Sequence, residues 1–90
     1  MKKEQYQLLC TYLKGRYFIS TMYRESSAAV EAKWYFETIA WKWDPKSKTI
    51  GSIVEMDDSG INEDMAIGNH TLIVLKLNNL ITEEDASLTN

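Results

Sequence analysis

The chain has 90 residues, which is room for one domain and excludes two. Its hydrophobic content of 44%, with three Trp, five Tyr and two Phe, excludes a disordered chain, and four Gly and one Pro leave most residues for helices and strands. The net charge of −3 is unevenly divided: residues 1–54 hold nine Lys or Arg against five acids, and residues 55–90 hold one against eight. We expect the acidic part to steer an approaching partner, unless the two parts mix in the folded protein.

The first predicted element is a helix over residues 3–14. Four apolar or aromatic side chains are separated by one, three or four residues, which is typical of one helix face: Tyr6, Leu9, Cys10 and Leu13. Gly15 follows, where the left-handed conformation that ends a helix is least costly. As part of this face, the single cysteine is expected to pack in the core, and it excludes an intramolecular disulfide.

Two strands are predicted next, over residues 16–24 and 33–43. Both segments are dense in aromatic and β-branched side chains, which favour a pleated strand. The small and polar segment 26–31 between them is expected to be a connection with room for a short helical turn. A third strand is predicted over residues 49–56, after the second.

The sequence Asp44-Pro45-Lys46-Ser47-Lys48 predicts a hairpin turn between the second and third strands. Asp at the first position and Pro at the second are typical of a type I turn. The register stays open at this point, because a four-residue loop would pair Trp41 with Ile50 and a five-residue loop would pair it with Gly51.

A second helix is predicted to begin near Asn62, where acidic residues favour a helix N-terminus. One face of it is expected to pack in the core: Ala66, His70, Ile73, Leu77 and Leu80. The predicted fold is therefore α+β: a helix, a three-stranded mainly antiparallel sheet with the DPKSK hairpin, and a C-terminal helix packed on the sheet. Residues 1–81 are expected to form the single domain, and residues 82–90 an acidic flexible tail.

No motif for phosphate binding, dinucleotide binding, zinc binding or nucleophilic catalysis occurs in the sequence. One His and one Cys cannot hold zinc within one chain, and the acids around Asp57 lack the ligand pattern and central Gly of a calcium loop. We expect no cofactor, no metal and no catalytic residue, which favours a protein that is not an enzyme.

Two titratable groups nevertheless mark a candidate ligand site. Glu37 lies in an aromatic strand, where a charge needs a partner, and Arg24 ends the preceding strand. His70 lies on the apolar face of the second helix. If the strands are neighbours, one polar patch forms from Arg24, Glu25, Ser26, Ser27, Glu37 and His70. It would suit a small anionic ligand such as a nucleotide; the alternative is an ion pair, a core histidine and an ordinary loop.

The strand at 33–43 has more large rings than one face of a small sheet can bury. Three of them are candidate interface residues for a host protein or a second copy: Trp34, Trp41 and Trp43. The basic residues Lys42, Lys46 and Lys48 beside them would allow single-stranded nucleic acid to stack there. The acidic part of the chain repels phosphate, so nucleic acid is the disfavoured partner.

Three segments carry a resemblance: YFISTMYRESSAA (17–29), WYFETIAWKWDP (34–45) and GNHTLIVLKL (68–77). Together they resemble small proteins of bacterial genomes, phages and other mobile elements, which have no established activity. The resemblance spans about residues 16–78 and adds Thr38 to the residues of the polar patch. It implies an accessory protein of phage or mobile-element type and assigns no catalytic residue.

We therefore expect a small non-enzymatic accessory protein that binds or inhibits a host protein through aromatic and acidic side chains. The alternatives are a small anionic-ligand binder or enzyme built on the polar patch, and nucleic-acid binding at the hairpin. The N-terminal residues lack the apolar core of a signal peptide, and no run approaches the ~20 apolar residues of a membrane span. We expect no membrane contact and a cytoplasmic location, which is the host cytoplasm for a phage-encoded chain.

Overall fold

Four strands and one helix follow one another along the chain. The computed structural model describes residues 3–26 and 33–88, with β1 at Tyr6–Leu13, β2 at Tyr17–Ser26, β3 at Lys33–Asp44, β4 at Thr49–Asp58 and α1 at Glu63–Leu88. Each strand pairs antiparallel with the next, so the sheet order is the chain order. The predicted α+β class and the C-terminal helix packed on the sheet are confirmed, but the sheet has four strands and not three.

The helix predicted over residues 3–14 is wrong, because this segment forms β1. Lys14 and Gly15 both have positive φ, 48° and 67°, and the N–H of Arg16 donates to the carbonyl oxygen of Leu13 at 3.0 Å. Two consecutive residues of this kind make the tight turn whose twist suits a hairpin, so the glycine that resembled a helix end instead joins β1 to β2. Cys10 is exposed, which contradicts the expectation that it packs in the core.

The strands predicted at 16–24 and 33–43 are confirmed as β2 and β3. They pair along their whole length, from Tyr17 opposite Lys42 to Ser26 opposite Lys33. Of the connection predicted at 26–31, only Ser26 lies within the described residues, and it belongs to β2.

The third predicted strand and its hairpin are also confirmed. Asp44 pairs with Thr49 across a four-residue loop, and the Asp44 carboxylate accepts the backbone N–H of Lys46 at 2.9 Å. This hydrogen bond holds the pKa of Asp44 below its ordinary value. Both predicted registers are wrong, because the loop consists of residues 45–48, and two irregularities in the pairing shift the partner of Trp41 further, to Ile53.

The helix α1 begins where the side chain of Asn62 accepts the backbone N–H groups of Asp64, at 2.8 Å, and Met65. Its predicted core face is confirmed for four of five residues; Leu80 is 39% exposed, and Ile81 is buried instead. The helix continues to Leu88, so residues 82–88 of the expected tail are helical.

The hydrophobic core lies between α1 and one face of the sheet. It contains Leu13, Tyr17, Ile19, Ala40, Ile73, Leu77 and Ile81. We call this sheet face the inner face and the opposite one the outer face. Side chains alternate along a strand, so every strand contributes to both faces. Since α1 is the one described helix and packs on the inner face, no described element covers the outer face. Within the described part of the chain, no helix has the length and apolar character needed to cross a membrane.

Candidate functional site

The residues of the predicted polar patch do not meet at one place. Arg24 and Glu37 project from the outer face, whereas His70 and Thr38 are buried between the inner face and α1. Glu25 is exposed near the end of β2, and the sheet lies between it and the ion pair. Ser27 lies outside the described residues. The sheet therefore divides the patch into an outer ion pair and an inner hydrogen-bonded group.

The ion pair between Arg24 and Glu37, inferred from the sequence, is present. A guanidinium nitrogen of Arg24 donates to the Glu37 carboxylate at 2.9 Å, and the Tyr35 hydroxyl donates to its second oxygen at 3.2 Å. Burial, and then the negative charge of Glu37, raise the pKa of Tyr35. Only 14% of the Glu37 side chain is exposed, so its charge depends on these two donors.

We expect Arg24→Ala to lower the free energy of unfolding by about 1 kcal/mol, because it leaves a mostly buried carboxylate with one neutral donor. The expected loss is kept small because the Arg24 side chain is 41% exposed. Urea unfolding measures it, with Glu25→Ala at the next, exposed position as the matched control. Equal stability of both variants and the unaltered protein would show that the pair contributes nothing.

The inner group is a continuous chain of buried hydrogen bonds. One ring nitrogen of His70 bonds the Thr11 hydroxyl and the other bonds the Thr21 hydroxyl, both at 2.8 Å. Further bonds of 2.6 to 2.7 Å continue it through the side chains of Thr38, Ser59 and Asn69. Each of these polar groups thus has a partner inside the protein, and the helix is joined to the group through His70 and Asn69.

His70 is 2% exposed and bonded to two neutral hydroxyls. Burial holds its pKa below the ordinary value, which keeps the ring neutral. The side chain lines neither of the two cavities described below. Of the two interpretations that the sequence left open, the geometry supports the core histidine.

A cavity of about 660 Å³ adjoins the outer ion pair at the end of β3. Ser26, Lys33 and Glu37 line it, together with Asp57 and Asp58 at the end of β4. Glu37 is already paired with Arg24, which leaves the carboxylates of Asp57 and Asp58 against the ammonium group of Lys33. This balance favours a cationic group over the anionic ligand that the sequence suggested.

Trp34 is separated from the other two candidate interface tryptophans. Its ring stacks on Tyr23, with centroids 5.3 Å apart, and Tyr23 in turn contacts Phe36 at 4.8 Å. Phe36 is buried, and this group lies on the inner face, beside a second cavity of about 660 Å³ that Tyr6 and Glu63 also line. Trp34 thus cannot share one contact surface with Trp41 and Trp43.

The other two tryptophans lie on the outer face, in what we call the outer aromatic cluster: Tyr12, Phe18, Trp41 and Trp43. Phe18 contacts all three others, with ring centroids 4.8 Å from Tyr12, 5.7 Å from Trp41 and 6.2 Å from Trp43. Tyr12 and Trp43 meet edge to face at 5.0 Å. The four rings therefore pack against one another and together cover one end of the outer face.

Aliphatic side chains extend this surface across β4. Ile50 lies opposite Trp43, Ile53 opposite Trp41, and Met56 opposite Ile39. These three β4 side chains are 50%, 51% and 55% exposed, and Tyr12 at the opposite edge is 59% exposed. This part of the outer face is thus a continuous apolar surface from β1 to β4, and the Arg24–Glu37 ion pair lies on the remaining part.

The sequence interpretation missed Tyr12 and Phe18 as members of this surface. Tyr12 was assigned to a helix, and Phe18 can be placed beside Trp41 only once the register is known. The alternation of Leu9, Thr11 and Leu13 with Cys10 and Tyr12 was the available signal.

The lysines expected to favour nucleic acid do not line the outer face. Lys42 pairs with Tyr17, whose side chain belongs to the core on the inner face, and Lys46 and Lys48 lie in the turn. Among the described strand residues, the outer face carries two cations: Arg24, which is paired with Glu37, and Lys33 at the end of β3. Among the described residues, no group of three or more His, Cys, Asp or Glu could hold a metal ion.

Comparisons of the chain with family models, with curated proteins and with solved structures find no match.

Proposed function

We propose that this chain is a small non-enzymatic binding protein that covers part of the surface of a partner protein with its outer face. The single observation that carries the proposal is the continuous apolar part of the outer face, which none of the described residues covers while α1 packs on the opposite face. Soluble proteins rarely leave a large contiguous apolar patch exposed unless it binds something. The resemblance to phage and mobile-element proteins makes a host protein the proposed partner.

The size of the outer face supports this proposal. The four strands lie about 4.8 Å apart and are each about ten residues long, so the whole outer face has a projected area of roughly 600 Å². A stable protein interface covers about 800 Å² on each partner, so the face and its rim are large enough. The rings of the outer aromatic cluster are side chains of the kind that act as anchors in such interfaces.

The charge of the outer face favours a protein over nucleic acid. Single strands bind to stacking rings that a cationic groove surrounds. Here the rings continue into Ile50, Ile53 and Met56, which cannot stack on bases. The Arg24 charge is paired, and Lys33 lies beside the carboxylates of Asp57 and Asp58. A protein surface with exposed aliphatic and aromatic side chains and little net charge is the matching partner.

The acidic residues contribute less than the sequence suggested. Arg16 pairs with Asp85 at 2.6 Å and with Glu84 at 3.4 Å, and Lys76 pairs with Glu55. The basic and acidic parts of the chain thus meet at the exposed Arg16 pairs, and Lys76 neutralises one carboxylate within the acidic part itself, which weakens long-range steering.

We expect Trp41→Ala to weaken partner binding about tenfold or more, because it removes an anchoring ring from the outer aromatic cluster. Trp34→Ala is the matched control: the same change at a half-buried tryptophan on the inner face should leave binding within about twofold. The partner is identified by affinity purification from the host, and both variants are then titrated against it by calorimetry.

Equal loss of affinity in the two tryptophan variants, with both folded, would overturn the outer-face proposal. Retention of the unaltered protein on a single-stranded oligonucleotide, falling steeply with salt and lost in Trp41→Ala, would assign the face to nucleic acid instead.

A further inference from the structure

The two edges of the sheet are protected to different degrees against pairing with another chain. β4 carries Glu55, Asp57 and Asp58, and its pairing with β3 is irregular at two places. β1 carries no charged residue and no proline from Gln5 to Leu13. Natural edge strands usually carry charges, prolines or bulges that prevent pairing. The single irregularity of β1 lies at Leu8, which leaves residues 9–13 regular and, among the described residues, without a strand on their outer edge.

The backbone groups that face this open edge can be identified. The carbonyl oxygen of Arg16 accepts the N–H of Trp43, at 2.8 Å, so it points toward β3. The N–H and C=O groups of successive residues point alternately to the two sides of a strand, so those of the odd-numbered residues of β2, from Tyr17 onward, point toward β1. The N–H and C=O groups of their partners Leu13, Thr11 and Leu9 point toward β2. The N–H and C=O groups of the residues between them, Cys10 and Tyr12, therefore point away from the sheet.

We propose that β1 pairs antiparallel with β1 of a second copy of this chain, about a two-fold axis at Thr11, to form an eight-stranded sheet. This register places Cys10 of each copy opposite Tyr12 of the other, so all outward N–H and C=O groups of the regular segment 9–13 are paired. A shift by one residue would place inner-face side chains opposite outer-face ones, which breaks the match of the faces.

The antiparallel direction follows from charge and symmetry. Parallel pairing would bring the two Lys14 ammonium groups to neighbouring positions, about 5 Å apart between strands, whereas the proposed register separates them by about 20 Å. An axis perpendicular to the sheet makes the contact closed and self-complementary. It also keeps both copies of α1 on the inner side, so the two outer faces become one continuous surface.

This pairing goes beyond the proposed function, and the two can fail separately. Light scattering should give a concentration-dependent mass that approaches twice the 10.4 kDa of one chain. In hydrogen exchange, the amides of Cys10 and Tyr12 should become protected as the concentration rises. The proposal is overturned if the mass stays at 10.4 kDa up to a protein concentration of about 1 mM, or if the exchange rates of the Cys10 and Tyr12 amides do not change with protein concentration.

Cys10→Lys tests the edge directly. In the proposed register the two new lysines would lie diagonally across the axis, about 7 to 8 Å apart, where like charges oppose pairing. We expect the dimer to weaken at least tenfold. Ser52→Lys adds the same charge at an exposed position of the opposite edge strand and should leave the dimer unchanged. A dimer that survives Cys10→Lys and is lost in Trp41→Ala would show that the copies meet through their outer faces, which overturns the β1 pairing.

Discussion

Replacing His70 with alanine is expected to lower the free energy of unfolding by about 3 kcal/mol. The substitution removes a buried ring from the contact between α1 and the sheet, and it leaves the hydroxyl of Thr11 without its partner in the chain of hydrogen bonds. Urea unfolding measures the change. Thr71→Ala, at the next and exposed position of the same helix, is the control and should alter stability by less than about 0.5 kcal/mol.

His70→Leu separates the two contributions of the ring. Leucine fills most of the space of the ring and makes no hydrogen bond. We therefore expect His70→Leu to lose more unfolding free energy than Thr71→Ala and less than His70→Ala. If His70→Ala and Thr71→Ala were equally stable, the buried hydrogen-bonded chain would have no structural importance, and the interpretation of His70 as a core residue would be wrong.

Acid is expected to destabilise the protein through the same side chain. Burial lowers the pKa of folded His70, whereas an unfolded histidine takes up a proton near about pH 6.5. The unfolded chain thus binds more protons below that pH. The histidine contribution is fully present above about pH 6.5 and is lost as pH falls below it, by at most about 1.4 kcal/mol per pH unit.

Urea unfolding at pH 7.5, 6.5 and 5.5 measures this dependence. The bonded neighbours of the ring, Thr11 and Thr21, are neutral, so no contacting carboxylate offsets the loss. His70→Gln should be less stable at pH 7.5 but show a shallower slope, because glutamine does not titrate. Parallel slopes for the two proteins would show that other groups cause the acid sensitivity.

The buried hydrogen bonds and the outer face have separate roles in the proposed function. The inner group from Thr11 to Asn69 joins α1 to three strands and keeps the sheet in one arrangement. The side chains of the outer face do not contribute to this contact, since the core lies on the inner face. A rigid sheet can therefore present the outer aromatic cluster to a partner with little loss of conformational freedom on binding.

The ion pair of Arg24 and Glu37 could be predicted because a carboxylate inside an aromatic strand requires a nearby cation. The burial of His70 could be predicted from the helical spacing around it, which α1 confirms. Their supposed convergence could not, because it depended on which sheet face each side chain occupies. The pairing of β2 with β3, read together with the alternation of side chains, decides that point.

Composition and spacing alone determined the α+β class, the strands β2 to β4, the turn at Pro45 and the C-terminal helix, and they showed more aromatic rings than one core can enclose. Only the tertiary structure decided that residues 6–13 form a strand, since their apolar residues fit both a helix face and an alternating strand. The two-residue turn at Lys14 and Gly15 brings this segment beside β2, whose backbone groups it pairs. The outer face exists for the same reason: a strand at this position leaves one layer of helix, which can cover one side of the sheet.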